Sequence, residues 1–148
     1  MRKRLSLCVL LAASLGFASS ALALSPFALF FESGSTRLDA RAGAVLDNAA
    51  RAIREGNIRG VALAGATDRR GSSAANLALG RRRAEAVRDA LVARGAPIGI
   101  FTIETWGEDR PLVPTADGVS EAQNRLVYIA LTAACPANDW LPEPPGGC

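Results

Sequence analysis

Two hydrophobic periods alternate along this chain, and that alternation constrains its fold more than any other feature. Short apolar runs with strand character are separated by longer stretches whose apolar residues recur at helical spacing. Phe27 to Phe31 is the first apolar run, and Ser33-Gly34-Ser35 ends it as a loop. From Asp39 to Glu55, Ala42, Leu46, Ala49, Ala50 and Ile53 fall on one helical face, with Arg41, Asp47, Arg51 and Arg54 mostly opposite. Gly56-Asn57 reads as a helix stop. Gly60 to Ala64 is a second strand-like run. Ser73 is expected to cap a long helix that runs to about Arg94 and stops at Gly95, with Leu77, Ala84, Val87 and Leu91 on its apolar side. Ile98 to Trp106 reads as a third strand, with Ile98, Ile100 and Thr102 on one side. A polar connection, Gly107 to Gln123, leads to a last strand from Leu126 to Leu131. The order βαβαββ predicts an α/β two-layer sandwich: one mixed sheet with both helices on one face. A chain of 148 residues is enough for one such domain.

The two ends read differently from the middle. Arg2, Lys3 and Arg4 precede an apolar stretch from Leu5 to Ala18, and Ala21-Leu22-Ala23 fits a small-x-small cleavage site. Residues 1–23 are therefore expected to be a secretory signal, since the apolar stretch falls short of the ~20 residues a membrane span needs. Cys8 lies inside this stretch and away from the cleavage point, so no lipid anchor is expected. The formal net charge of +3 is carried entirely by the three basic residues at the N-terminus. Without them the chain is formally neutral, so global attraction to nucleic acid or anionic membranes disappears. Export implies an oxidising compartment, the periplasm, where Cys135 and Cys148 are the natural disulfide pair. They would clip a Pro/Gly-rich tail, residues 132–148, onto a domain spanning 24–131.

Composition excludes several chemistries. The chain has no His, which removes Ser-His-Asp and Cys-His catalysis and His-ligated metal. Three Cys are too few for a four-cysteine zinc site. No metal and no cofactor is expected. Glu32, Asp68, Glu104 and Glu108 could in principle supply a hydrolytic carboxylate pair, but loop structure or strand exposure accounts for each, and no enzymatic activity is expected.

The informative stretch is Val61 to Val87. Asp68 leaves a strand end for a loop before a helix N-terminus, a common binding position in α/β sheets. Asn76 and Arg83 are seven apart, so they project from one helix face. A carboxylate, an amide and a guanidinium lining one pocket would suit a zwitterion. The alternative is that Asp68 caps the helix or pairs with Arg83 to stabilise the fold.

These residues resemble the OmpA-like peptidoglycan-binding domain family. Gly65, Thr67, Asp68 and Gly71 match its first motif; Asn76, Leu79, Arg83 and Ala84 match its helix motif. Trp106-Gly107-Glu108 with Pro111 is similar to its turn, and Asn124, Arg125 and Val127 to its last motif. Phe30 to Leu38 resembles its opening strand and loop. The likeness implies noncovalent binding of the peptide stem of peptidoglycan at diaminopimelate. Asp68 would hold the ligand ammonium and Arg83 its carboxylate, with Asn76, Thr67 and Arg125 as further pocket residues. The chain departs from the family pattern at Ala66, Gly80, Leu126 and Gly34, and Gly80 costs up to ~1 kcal/mol of helix propensity. Two functions follow as expectations: a periplasmic wall-binding module, or a cell-envelope protein-interaction domain of the same fold that has lost wall binding.

Overall fold

The computed structural model describes residues 27–56 and 58–132. The signal segment, Cys8 and the Cys135–Cys148 pair lie outside the described residues. The elements are β1 (Phe27–Phe30), α1 (Ala40–Glu55), β2 (Gly60–Ala66), α2 (Ser73–Val92), β3 (Phe101–Gly107) and β4 (Leu126–Thr132). The sheet order is β1-β4-β2-β3. β2 and β3 are parallel, as an intervening helix requires, while β4 is antiparallel to both β1 and β2. The mixed sheet and the βαβαββ order are those expected from the periodicities.

Local chemistry sets the helix ends. The Asp39 carboxylate accepts the Ala42 N–H at 2.9 Å and caps α1. Ser72, one residue before the expected cap, accepts the Ala75 N–H and starts α2. That helix ends near Gly95, whose φ of +92° is left-handed. The third strand begins later than its alternation suggested. Ile98–Ile100 forms a 3-10 turn after Pro97, and Ile98 is 70% exposed, because no helix covers that corner.

One face of the sheet meets the helices. Leu29, Val61, Leu63, Val127 and Ile129 pack against the α1 stripe of Ala42, Leu46, Ala49, Ala50 and Ile53, all five of which are buried as expected. Ala84, Val87 and Leu91 of α2 complete the core. Leu77, expected on that apolar side, is 38% exposed at the upper end of the helix. At the opposite end the Arg94 guanidinium pairs with Asp47 at 2.7 Å, and Arg54 donates to the Arg94 carbonyl, also at 2.7 Å. These contacts fasten the end of α2 to α1.

The closest approach of helix to sheet lies at Gly65 of β2 and Gly80 of α2. A Cβ on Gly65 would fall 2.0 Å from the Gly80 carbonyl oxygen. A Cβ on Gly80 would fall 2.6 Å from Thr105 Oγ1 and 2.7 Å from the Gly65 carbonyl oxygen. The Thr105 hydroxyl donates to the Leu77 carbonyl at 2.7 Å across the same seam. Gly80 is therefore the condition for seating α2 on β2, whatever it costs in propensity.

Candidate functional site

The end of β2 carries Thr67 and Asp68 into the loop before α2. The Thr67 N–H donates to the Gly107 carbonyl at 2.7 Å, which extends the β2–β3 seam to the edge of the loop. Its hydroxyl is buried and has no hydrogen-bond partner among the described residues. Asp68 follows and is only 5% exposed. Its Oδ2 accepts from Arg125 Nη1 at 3.0 Å, from Ser120 Oγ at 3.2 Å and from the Glu121 N–H at 3.3 Å. Every one of these bonds falls on the same carboxylate oxygen.

Arg83 lies inside the domain with no exposed surface. Nε donates to the Ser35 carbonyl at 2.9 Å, Nη1 to the Ala66 carbonyl at 3.2 Å and Nη2 to the Glu32 carbonyl at 3.0 Å. The guanidinium carbon stands 5.1 Å from the centre of the Phe31 ring, a cation–π geometry. Burial pushes its pKa down to about 10; the neighbouring Arg125 cation adds to the fall, and the Asp68 charge opposes it. The group stays protonated at neutral pH. Its close seat on Ala66 depends on the Gly65–Gly80 approach.

Arg125, just before β4, bridges two parts of the site. Nε donates to the Phe31 carbonyl at 3.0 Å while Nη1 reaches Asp68 and the Ser120 hydroxyl. Two arginines thus hold the β1–α1 loop: Arg125 at Phe31, and Arg83 at Glu32 and Ser35.

The expectation that Asp68, Asn76 and Arg83 line one pocket is corrected here. Asn76 and Arg83 do share a helix face, and both are buried. Seven residues of helix separate them by about 10 Å along the axis, however. Asn76 Nδ2 donates to Glu108 at 2.5 Å at the start of α2, whereas Arg83 reaches the β1–α1 loop. The arginine in contact with Asp68 is Arg125, and the cap of α2 is Ser72. Neither the shared pocket nor the alternative roles for Asp68, helix cap or partner of Arg83, describe the observed contacts.

Sequence reading missed the residues of the long connection. Ser120 and Glu121 lie 52 and 53 positions from Asp68, in a stretch without periodicity. Asn124 holds that connection in place, with Oδ1 accepting the Val113 N–H and Nδ2 donating to the Val113 carbonyl, both at 2.7 Å. Asn124 stood in a recognised motif, which was the available signal. Arg69 and Asp117 form a further ion pair across the same connection, and the Gly118 N–H donates to the Arg69 carbonyl at 2.7 Å.

Beside this site, between β1 and α1, runs a groove of about 410 Å³. Phe30, Glu32, Arg37, Arg41, Gln123 and Arg125 are among its lining residues. Its volume is in the range of small-ligand sites. Among the described residues no group of three or more Cys, Asp or Glu side chains is placed to hold a metal ion. No helix among them is long and apolar enough to cross a membrane.

Comparison with known proteins places this geometry in a family. Residues 30–125 match the OmpA family. The chain is 37% identical over 106 residues to the peptidoglycan-associated lipoprotein of Rhizobium meliloti (strain 1021), covering 72% of this chain and 60% of that protein. It is 39% identical over 100 residues to the peptidoglycan-associated lipoprotein of Pseudomonas putida, covering 68% of this chain and 60% of the relative. The chain thus spans about 60% of the length of these curated relatives. The crystal structure of the peptidoglycan-associated lipoprotein from Burkholderia pseudomallei superposes with a TM-score of 0.67 at 32% identity, over 74% of this chain and 92% of that one. The C-terminal domain of Helicobacter pylori MotB, at 20% identity and a TM-score of 0.63 over 74% of this chain and 87% of that one, shares the fold. The lipoprotein names conflict with the expectation that no lipid anchor is present, and that expectation is withdrawn. With the family matched over most of the folded region and the fold shared, this chain belongs to the OmpA family.

Proposed function

We propose that this chain is a wall-binding module of the bacterial envelope, working in the periplasm and holding peptidoglycan noncovalently through the diaminopimelate of its stem peptide. The observation that carries the reading is the state of Asp68. Its carboxylate is nearly buried, is fixed through Oδ2 alone, and has Oδ1 left as an acceptor among the described residues. An ammonium group is the cation that a single, oriented carboxylate oxygen recognises well. The carboxylate end of the ligand would meet Arg125, while Arg83, buried and donating to the Ser35, Ala66 and Glu32 carbonyls, holds the β1–α1 loop that frames the site. Thr67 and Asn76 then support the walls: Thr67 through the β2–β3 seam, and Asn76 through Glu108. The names of the relatives, peptidoglycan-associated lipoproteins, support the same ligand. The module acts by binding and not by catalysis. Two of the acidic side chains considered for a hydrolytic pair are engaged elsewhere, Glu104 by the Trp106 indole and Glu108 by Asn76.

Sedimentation with purified sacculi tests this. The wild type should co-sediment, and Asp68→Asn, which keeps the shape of the side chain and removes its charge, should stay in the supernatant. Arg83→Ala is a poor probe, because it would strand the buried Ala66 carbonyl, release the Glu32 and Ser35 carbonyls of the β1–α1 loop and unsettle the fold. The second reading, an envelope protein-interaction domain without wall binding, is favoured by one fact: Asp68 is already paired with Arg125. A wild type that fails to sediment at low salt would select that reading.

A further inference from the structure

Both helices pack against one face of the sheet, and no helix among the described residues covers the other. Alternation turns Tyr128 of β4 and Glu104 and Trp106 of β3 to that second face, since Val127, Ile129 and Thr105 turn to the helices. Tyr128 and Glu104 both pair with Ala64, so β2 places only a methyl group between β4 and β3. The rings of Trp106 and Tyr128 meet across this gap, with centres 5.4 Å apart and planes tilted by 44°. Both residues are half-buried. The Arg110 guanidinium stands 4.9 Å from the centre of the Trp106 ring, a cation–π geometry. Arg110 is exposed and forms no ion pair among the described residues. This face therefore carries an aromatic pair with a cation at its rim, and the Asp68 site uses none of the three.

Residues 133–148 continue from the end of β4, the strand that carries Tyr128. β4 lies between β1 and β2 and not at a sheet edge. The helices fill one side of it, so a chain leaving Thr132 has the aromatic face open to it. This segment holds four of the chain's eight prolines, three of them in Pro142-Glu143-Pro144-Pro145. Such a run favours the extended polyproline II helix, which aromatic surfaces recognise at little ordering cost. We propose that the C-terminal segment folds back over this face of the sheet and seats Pro142 to Pro145, as a polyproline II helix, on the Trp106–Tyr128 pair. The reach suffices. Tyr128 lies four residues, about 13 Å, back along β4 from Thr132. Pro142 lies ten residues beyond Thr132, about 31 Å at the polyproline II rise. The charges match as well: the segment contains Asp139 and Glu143 and no basic residue, and Arg110 stands at the rim of the aromatic pair. The same segment from a second copy would compete poorly, because tethering gives the chain's own segment a far higher effective concentration.

Nuclear magnetic resonance on the purified chain, C-terminal segment included, tests this. Nuclear Overhauser contacts should join the Trp106 and Tyr128 ring protons to the ring protons of Pro142, Pro144 and Pro145. In a mixture of isotope-labelled and unlabelled chains, these contacts should arise within one chain. The triple variant Pro142→Ala/Pro144→Ala/Pro145→Ala leaves every residue of the folded domain in place. It should shift the Trp106 indole N–H resonance and leave the resonances of α1 where they are. Absence of the contacts in the wild type, or a Trp106 indole resonance that the triple variant does not move, would overturn the proposal. Contacts found only between different chains would overturn it in favour of pairing between copies.

Discussion

Asp68 Oδ2 lies 3.0 Å from Arg125 Nη1, an ion pair that joins the end of β2 to the start of β4 across 57 positions of sequence. The two side chains are only 7% and 11% exposed. An ion pair this enclosed resists the loss of one partner more than it stabilises as a pair.

Removing either member should therefore cost stability. Asp68→Ala and Arg125→Ala are each expected to lose about 3 kcal/mol, because each strands a nearly buried charge. The double variant Asp68→Ala/Arg125→Ala should lose less than the sum of the two. Urea unfolding at neutral pH measures all three, and strict additivity would show that the pair is not coupled.

Gly80 offers a contest between local and tertiary preference. In an isolated helix Gly80→Ala would gain up to ~1 kcal/mol. In the folded domain the new methyl group would meet Thr105 Oγ1 and the Gly65 carbonyl, and overpacking of this kind costs about 1–3 kcal/mol. We expect a net lower unfolding midpoint. A variant more stable than wild type would show that α2 can lift from the sheet at little cost.

Asn124 should matter for the loop more than for the core. Asn124→Ala removes both hydrogen bonds to the Val113 backbone and leaves that N–H and C=O without these partners, at a cost of about 1–3 kcal/mol. Hydrogen exchange should accelerate across 108–121 and stay slow in α1. Sedimentation with sacculi should weaken as well, since Ser120 and Glu121 would no longer be held on Asp68.

The cap of α1 gives a pH dependence with a definite sign. The Ala42 N–H holds the Asp39 carboxyl below its ordinary value of 3.8, with Arg41 assisting. A carboxyl whose pKa is lowered by folding stabilises the folded state above its unfolded pKa, and that contribution fades as pH falls through the lowered folded value. Asp39→Ala should thus melt below wild type at neutral pH. The gap should close once the solution is more acidic than the folded pKa. A gap that persists unchanged there would mean that the cap works without its charge.

Much of the fold is visible in the sequence. The α1 stripe and both helix stops follow from spacing and from residues that act within one or two turns. Arg81 and Glu85, four apart on α2, form a surface pair at 3.1 Å, as that helical spacing favours. The third strand was harder to bound, since Ile98 and Ile100 alternate like strand residues yet sit in a turn set by Pro97 and an uncovered corner. Asp68, Arg83 and Arg125 could be singled out because they stand in recognisable motifs, but their mutual contacts could not.

What the sequence determined by itself, then, is the order of elements, the buried face of α1 and the identity of the charged residues at the site. These depend on periodicity and capping, which act over a few residues. Only the tertiary structure decided which arginine holds Asp68, why Gly80 stands in a helix, and which carbonyls Arg83 serves. Each of those is settled by partners about 15 to 57 positions away, brought within contact by the seating of α2 on the sheet and by the folding of the 108–121 connection over the end of β2. Local preferences carry no information about such distances in sequence, so the sheet register and the close glycine seam had to supply it.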